Sequence, residues 1–245
     1  MNDDGERLRA AVVSLADEEG VKRVIRDALF GLWSTVNGLS RLRPSARDRY
    51  RVTVFGSART DTSHWVYKEV KQMCSSLAAM GCDIVTGGGP GLMQAANEGA
   101  RDAQAASGGH SIGIRVELPF EQEVNPFVEE AFEHETFFTR LHQFVLMSDA
   151  YIVAPGGIGT VLESMMIWQL LQVRHLRDTP LIFAGPMWRG LVEWARSSML
   201  RPGFELASDA DMDIPRCVDD ANEAVAIVRE HLGRWRTARA TRVGA

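Results

Sequence analysis

The chain alternates between short apolar segments and longer segments with helical spacing. Each apolar run is rich in β-branched residues and is followed by a stretch with apolar residues three and four positions apart. Strands that are apolar along their whole length are typical of parallel sheets with helices on both faces. The pattern therefore predicts an α/β protein with a Rossmann-like, doubly wound parallel sheet. The predicted strands lie in residues 51–58, 82–86, 111–116, 150–154 and 180–183.

Helices are predicted between these strands, and two further stretches look irregular. The acidic residues 121–135 and the segment that ends at Pro215 show no clear period. The first of these follows the third strand and the second precedes the last helix. Predicted helices cover residues 64–80, 92–106, 137–147, 161–173, 187–200 and 219–232.

The alternation begins near residue 49 and divides the 245-residue chain into three parts. Residues 1–48 have helical spacing without a strand-like run, which predicts a helical N-terminal extension. Residues 49–233 are the predicted Rossmann-like nucleotide-binding domain. Residues 234–245 contain four arginines and are interpreted as a basic tail.

Composition limits the classes of partner. A formal net charge of −5 disfavours polymeric nucleic acid, because that binding depends on neutralising many phosphates. No stretch approaches the ~20 apolar residues that a membrane span requires, and the first residues lack the basic and apolar regions of a secretory signal. We therefore expect a cytoplasmic protein that binds neither membrane nor polymeric nucleic acid.

Metal-binding patterns are missing from the sequence. Cys74, Cys82 and Cys217 have neither the CxxC spacing of a zinc site nor an even count, so reduced thiols in the core are expected. His134 is followed by Glu135, but the second histidine of the HExxH motif is absent. We expect no metal and no cofactor.

Three glycines, residues 87–89, follow the second predicted strand and open a helix. Glycine lets backbone N–H groups approach an anion closely, and a helix N-terminus adds unpaired donors and positive potential. Gly88 and Gly89 are therefore candidate phosphate ligands. A tight turn that uses glycine only for its shape is an equally good interpretation of this loop alone.

The sequence PGGIGT at residues 155–160 repeats this arrangement after the fourth predicted strand. Two such junctions together favour a phosphate ligand. Neither is a P-loop, because no lysine follows the glycines, and neither is a complete GxGxxG fingerprint, so ATP hydrolysis and NAD chemistry are disfavoured. The candidate ligands here are Gly156, Gly157, Gly159 and Thr160.

Glu163 has two interpretations. If Thr160 is the helix N-cap, the pair forms a capping box in which Glu163 bonds to the cap's backbone N–H. Alternatively, the carboxylate reaches the sugar of a phosphate-bound ligand, where it stabilises an oxocarbenium-like charge or activates water. Arg140 is similarly open: its guanidinium either orients a phosphate or supports a leaving base, or it lies on an exposed helix surface, which the residues alone favour.

These motifs together resemble the LONELY GUY family of cytokinin riboside 5'-monophosphate phosphoribohydrolases, whose members are also described as lysine decarboxylases. PGGIGTVLE at residues 155–163 fits the family pattern PGGxGTxxE at every specified position. VFGSAR at residues 54–59 and GGGPGLMQAANEGA at residues 87–100 resemble the family's first and second loops. The resemblance covers about residues 50–200.

The resemblance implies a homodimer that hydrolyses the N-glycosidic bond of a nucleoside 5'-monophosphate, of the AMP or cytokinin riboside type, without a cofactor. The products are the free base and ribose 5-phosphate. Glu163 and Arg140 match the family's catalytic pair. The residues implied to hold phosphate and ribose are Gly88, Gly89, Gly156, Gly157, Gly159 and Thr160, with Ser57 and Arg59 on the opposite wall of the pocket.

Several points qualify this expectation. The family commonly has Arg-Lys where this chain has Arg140-Leu141, which leaves the base preference open. Lysine decarboxylation would need an electron-sink cofactor, and Lys68 and Lys71 lie on a predicted helix rather than at a phosphate loop. A carrier of a nucleotide or of molybdenum cofactor is the alternative, although a carrier has no need of the catalytic pair.

Overall fold

The computed structural model describes residues 17–39, 48–116 and 124–243. Contacts divide the chain into two compact units with a boundary after Ser45. The described part of the first unit is helix α1 (Glu18–Leu39). The rest of the predicted N-terminal extension, residues 1–16 and 40–47, lies outside the described residues.

A seven-stranded parallel sheet forms the centre of the second unit. Its strands are β1 (Tyr50–Phe55), β2 (Cys82–Thr86), β3 (Ser111–Val116), β4 (Glu130–His134), β5 (Ala150–Val153), β6 (Leu181–Ala184) and β9 (Pro215–Val218). Their spatial order is β4-β3-β2-β1-β5-β6-β9, with every pairing parallel. The two short strands β7 (Leu200–Arg201) and β8 (Phe204–Glu205) form a separate antiparallel pair.

Helices cover both faces of this sheet, which confirms the predicted doubly wound fold. One apolar core contains residues of α2 (Trp65–Ala79), α3 (Leu92–Ser107) and α8 (Ala221–Val243). The other contains residues of α4 (Phe137–Met147), α5 (Ile158–Gln172), α6 (Met187–Met199) and α7 (Asp209–Met212). Strand side chains alternate between the two cores: Ile152 packs in the first, and Tyr151 and Val153 pack in the second.

Two strands of the parallel sheet were not predicted, and both lie at its edges; the short pair β7 and β8 was not predicted either. β4 falls in the acidic stretch that looked irregular, and its residues are exposed or only partly buried, so it lacks an apolar run. β9 begins with Pro215, which occupies the first position of an edge strand, where a missing N–H is tolerated. The rule that buried strands are apolar does not detect edge strands.

Two helix boundaries differ from the prediction by three residues or more, and α7 lies in a segment that looked irregular. α5 begins at Ile158 rather than at residue 161, so Gly159 lies in the first helical turn. α8 continues to Val243 rather than ending near residue 232, so most of the predicted basic tail is helical. Among the described residues, every helix is too short or too polar to cross a bilayer.

Candidate active site

The first loop, between β1 and α2, connects the two glycine-rich loops. The Ser57 N–H donates to the carbonyl oxygen of Pro155 at 3.0 Å, and the Ser57 carbonyl accepts from the N–H of Leu92 at 2.8 Å. The Ser57 hydroxyl accepts from the N–H of Arg59 at 3.0 Å. All three loops lie at the carboxyl ends of strands, where ligands bind in doubly wound sheets.

The second loop, between β2 and α3, is shaped by close backbone packing. Gly91 caps α3 with φ of 68°, and a Cβ there would lie 2.3 Å from the carbonyl oxygen of Ser57. Gly88 also has a positive φ, of 72°. Both positions require glycine, because an L-residue is strained in this conformation. At Gly91 the crowding adds a second reason.

A buried polar network holds the second loop in place. The Thr86 hydroxyl accepts from the Gly88 N–H at 2.9 Å and donates to the Asn97 side-chain oxygen at 2.6 Å. The Asn125 N–H donates to the Gly88 carbonyl at 2.9 Å, and its side-chain amide donates to the Gly89 carbonyl and the Asn97 side-chain oxygen, each at 3.0 Å. Neither Asn97 nor Asn125 was predicted to support the loop, because Asn97 lies on α3 beyond the glycines and Asn125 lies in the acidic stretch that looked irregular.

The third loop, between β5 and α5, presents an open helix N-terminus. Gly157 is the N-cap of α5 and makes no side-chain hydrogen bond. Among the residues that the structure describes, a Cβ at Gly157 or Gly159 would meet nothing within 4 Å, whereas a Cβ at Gly156 would lie 2.2 Å from the Thr160 hydroxyl oxygen. The first N–H groups of a helix lack intrahelical partners and carry positive potential, so this end of α5 suits an anion.

The capping-box interpretation of Glu163 is wrong. Thr160 is the third residue of α5 rather than its N-cap. Glu163 therefore lies in the second helical turn, and its carboxylate is 3.3 Å from an Nη of Arg140. The contact brings together two residues that are far apart in sequence and that the family resemblance pairs as catalytic.

Arg140 lies between the second and third loops. α4 is capped by Thr136, whose hydroxyl accepts from the Thr139 N–H, and Arg140 follows in the first turn. Its Nε donates to the Ile114 carbonyl at 2.9 Å, which fixes the guanidinium at the end of β3. A Cβ at Gly87 would lie 2.2 Å from the other Nη of Arg140, so glycine at that position makes room for the side chain.

Burial of this pair changes its protonation chemistry. The side chains of Arg140 and Glu163 are only 13% and 12% exposed. Burial raises the pKa of Glu163 to about 7 from its usual 4.5, although the charge of Arg140 partly opposes the rise. Burial also lowers the pKa of Arg140, against the opposing effect of Glu163. A carboxylate that titrates near neutral pH is well matched to proton transfer.

The three loops and the buried pair surround one cavity of about 840 Å³. Six predicted ligand residues line it together with Arg140 and Glu163. Gly88 and Gly156 do not line it and act through the shape of their loops instead. The lining residues that the sequence predicted are Ser57, Arg59, Gly89, Gly157, Gly159, Thr160, Arg140 and Glu163.

Further charged and aromatic residues line the cavity without having been predicted. Arg115 at the end of β3 pairs with Glu133 of β4 at 3.0 Å, and Phe137 begins α4. Arg115 could have been predicted as a lining residue, because it is a charged residue near the carboxyl end of a predicted strand. Glu133 had no such signal, because β4 was not predicted. The lining cations are Arg59, Arg115 and Arg140, and the lining carboxylates are Glu133 and Glu163.

The histidines near the cavity do not form a metal site. Burial lowers the pKa of His134 and of His142, and the charge of Arg140 adds to the effect at His134. Within the described residues, no group of three or more His, Cys, Asp or Glu side chains is placed to hold a metal ion. Cys74 and Cys82 are buried free thiols, as predicted, and burial raises the pKa of both.

Comparison with known families assigns the chain to one of them. The family model described as "Possible lysine decarboxylase" matches residues 93–228, which is more than half of the sequence. The chain belongs to this family. The match begins in α3, just after the first glycine-rich junction, and includes all of the second junction and both Arg140 and Glu163.

Curated proteins that are similar to this chain include nucleosidases. The chain is 28% identical over 141 residues to the pyrimidine/purine nucleotide 5'-monophosphate nucleosidase of Escherichia coli K12, and equally to that of Escherichia coli O157:H7. The aligned region is 55% of this chain and spans only 31% of the length of each relative. The similarity to nucleotide 5'-monophosphate nucleosidases is therefore distant and partial.

Solved structures with the same fold include carriers of molybdenum cofactor. The carrier protein of Chlamydomonas reinhardtii superposes with a TM-score of 0.57 at 20% identity, over 76% of this chain and 99% of that one. The molybdenum cofactor binding protein of Rippkaea orientalis gives a TM-score of 0.57 at 20% identity, over 77% and 99%. At this level of identity the likeness establishes the fold alone.

Proposed function

We propose that this protein hydrolyses the N-glycosidic bond of a nucleoside 5'-monophosphate, of the AMP or cytokinin riboside type, to the free base and ribose 5-phosphate. The observation that carries the proposal is the buried contact between Arg140 and Glu163 at 3.3 Å in a cavity formed by glycine-rich loops. The distant similarity to nucleotide 5'-monophosphate nucleosidases supports it. So does the resemblance to the LONELY GUY pattern at residues 155–163.

The 5'-phosphate binds at the N-terminus of α5. Gly157 and Gly159 line the cavity, and no described residue occupies the space that their side chains would fill. A phosphate there accepts from the unpaired N–H groups of the first helical turn. Arg59 and Arg115 add positive charge to the same cavity. Ser57 and Gly89 line the remaining walls.

Glu163 acts one helical turn beyond the phosphate, at the sugar. As the bond from the anomeric carbon to the base nitrogen breaks, positive charge develops on the ribose and the ionised carboxylate stabilises it. Glu163 then accepts a proton from the water that attacks the anomeric carbon, the departing base takes up a proton from solvent on its nitrogen, and Glu163 returns its proton to solvent. Arg140 orients the nucleotide and favours the ionised form of Glu163.

This role predicts a pH dependence with a definite direction. The ionised carboxylate is the active form, and the pKa of Glu163 is raised to about 7. We therefore expect kcat/KM to be low in acid and to rise through about pH 7. A fall in kcat/KM as the pH rises through about 7 would contradict ionised Glu163 as the active form.

Decarboxylation of lysine is not supported at this site. Among the described residues that line the cavity there is no lysine. Lys71 lies on α2 and pairs with Glu98 at 2.8 Å and Asp102 at 3.0 Å, which raises its pKa. A lysine that forms a Schiff base needs the opposite shift, towards the neutral amine.

We also propose that the protein is a homodimer through α4 and α5. Several large apolar side chains on these helices are exposed, including Ile158 at 87% and Phe138 at 75%, together with Phe137 and Leu162. Burying such a surface favours association. Light scattering coupled to size exclusion gives the mass directly, and Leu162→Glu is expected to shift a dimer towards monomer.

The decisive experiment is chromatographic detection of free base from AMP, GMP, CMP and N6-isopentenyl-AMP. It compares the wild type with Glu163→Gln and Arg140→Ala. Two matched controls remove the same groups elsewhere: Glu130→Gln on the exposed edge of β4, and Arg196→Ala in a surface ion pair on α6. Loss of each catalytic-pair residue is expected to reduce kcat by about 100-fold or more, while both controls keep wild-type rates.

The outcomes separate the enzyme from the carrier. Base release by the wild type and both controls, but by neither Glu163→Gln nor Arg140→Ala, supports the proposal and ranks the bases. If no nucleotide releases its base while calorimetry still detects nucleotide binding, the hydrolase assignment fails for these substrates. The carrier alternative then gains support.

A further inference from the structure

A second cavity of about 250 Å³ lies at the same edge of the sheet, beyond β5 and β6. It is bounded by the first turns of α2 and by the segments that lead into α6 and α8. The two cavities have no lining residue in common. We call the second one the Trp65 pocket, and its lining residues are Trp65, Val66, Glu69, Val70, Met73, Ala154, Pro155, Ala184, Gly185, Pro186, Met187, Asp219, Asp220 and Ala221.

The walls of the Trp65 pocket are almost entirely apolar. Val66, Val70 and Ala154 are buried members of the core and form part of its walls. Trp65 and Met187 also line the pocket, and they remain 65% and 48% exposed. Large exposed apolar side chains next to a concave apolar surface are typical of a binding site.

The charge in this pocket has one sign. Its ionisable lining residues are Glu69, Asp219 and Asp220, and among the described lining residues there is no lysine, arginine or histidine. Arg189 neutralises Asp219 through contacts of 2.6 and 3.0 Å. Glu69 accepts from the Ala221 N–H at 3.3 Å, and Asp220 accepts from the N–H groups of Asn222 and Glu223.

We propose that the Trp65 pocket binds a small organic cation with an apolar body, such as a primary aromatic amine with a short alkyl linker. The apolar walls remove the body of the ligand from water. Glu69 and Asp220 carry negative charge that their amide partners do not neutralise, and they attract the ammonium group. The indole face of Trp65 adds a cation–π contact. The inference does not depend on the proposed hydrolase activity.

Binding is tested by calorimetry on the full-length protein with three probes of similar shape. These are 2-phenylethylammonium, neutral 2-phenylethanol and anionic 3-phenylpropionate. The cation is expected to bind at least about fivefold more tightly than the neutral probe, and the anion is expected to bind weakest. Equal affinity for all three, preference for the anion, or no binding of the cation would overturn the proposal.

Variants locate the binding site. Glu69→Gln removes the charge but keeps an oxygen that accepts from the Ala221 N–H, and Trp65→Leu keeps an apolar side chain but removes the aromatic face. Each is expected to weaken cation binding by about fivefold. Glu69→Gln should leave the neutral probe unchanged. Glu130→Gln removes one exposed carboxylate outside the pocket and should change nothing, so equal losses in Glu69→Gln and Glu130→Gln would indicate a net-charge effect rather than this pocket.

Discussion

The two glycine-rich loops have similar sequences but use glycine for different physical reasons. In the second loop, Gly88 and Gly91 have positive φ, and the Ser57 backbone occupies the space where a Gly91 side chain would lie. In the third loop, Gly157 and Gly159 have ordinary φ and open space around them. The fold requires glycine at residues 88 and 91 but not at residues 157 and 159. Gly157 and Gly159 are therefore the stronger candidates for ligand contact.

The two loops also differ in the chemistry of the side chains that accompany them. Neutral hydroxyl and amide groups of Thr86, Asn97 and Asn125 hold the second loop. The third loop leads into a helix whose second turn carries Glu163, a carboxylate that titrates near neutral pH. An uncharged network therefore shapes one loop of the cavity, and a titratable carboxylate lines the same cavity.

The largest expected effect is on the second loop, from Gly91→Ala. The substitution forces a side chain into a φ of 68° and places Cβ 2.3 Å from a backbone oxygen. We expect the free energy of unfolding to fall by about 4 kcal/mol, measured by urea denaturation. Gly108→Ala is the matched control: Gly108 has φ of 63°, and a Cβ there would meet no described residue within 4 Å, so the substitution carries the backbone strain alone and should cost about 1 kcal/mol. Similar losses in both variants would show that the close approach to Ser57 is unimportant.

How far the sequence predicts this molecule depends on whether an element is buried. β2 and β3 were predicted to the residue, because most of their residues are buried and buried parallel strands are largely apolar. β4 was missed because it is an exposed edge strand, and with it Glu133 in the cavity wall. The family resemblance pairs Arg140 with Glu163 as catalytic residues. Their spacing in the sequence does not predict the contact, and without the resemblance the residues favoured an exposed Arg140.

The second prediction uses pH to distinguish the neutral hydrogen-bond network of the second loop from the titratable Glu163. The pKa of Glu163 is raised from 4.5 to about 7 in the folded protein, so its contribution to stability is full below pH 4.5 and is lost as the pH rises to about 7. The free energy of unfolding of wild type relative to Glu163→Gln should therefore fall by about 1.4 kcal/mol per pH unit within this window. Parallel pH profiles for the two proteins would contradict a raised pKa. Asn125→Ala, which changes only neutral groups, should keep the wild-type slope.

The third prediction concerns Asn125, which supports the second loop. Asn125→Ala removes the side-chain donor to the Gly89 carbonyl and to the Asn97 side-chain oxygen, both of which are buried acceptors. We expect a loss of about 2 kcal/mol in the free energy of unfolding. The exposed Asn222→Ala on α8 is the control and should change stability by less than about 0.5 kcal/mol. Equal stabilities for the two variants would mean that the loop does not depend on this network.

The fourth prediction addresses Gly159, where stability and binding should change in opposite directions. Gly159 is in the first turn of α5, lines the cavity and has open space around it. Alanine is the better helix former, so Gly159→Ala should leave stability unchanged or raise it by up to about 1 kcal/mol. Its methyl group occupies space that a bound phosphate needs, and AMP affinity measured by calorimetry should fall about tenfold.

Gly190→Ala separates the two effects. Gly190 is also an exposed helical glycine whose Cβ would meet no described residue within 4 Å, but it lies on α6 outside the cavity. The variant should share the gain in stability and keep wild-type AMP affinity. If Gly159→Ala binds AMP as tightly as Gly190→Ala does, the phosphate does not bind at the start of α5. The freedom of Gly157 and Gly159 from packing would then have no ligand to explain it, and the second loop, despite its structural constraints, would become the better candidate for the phosphate site.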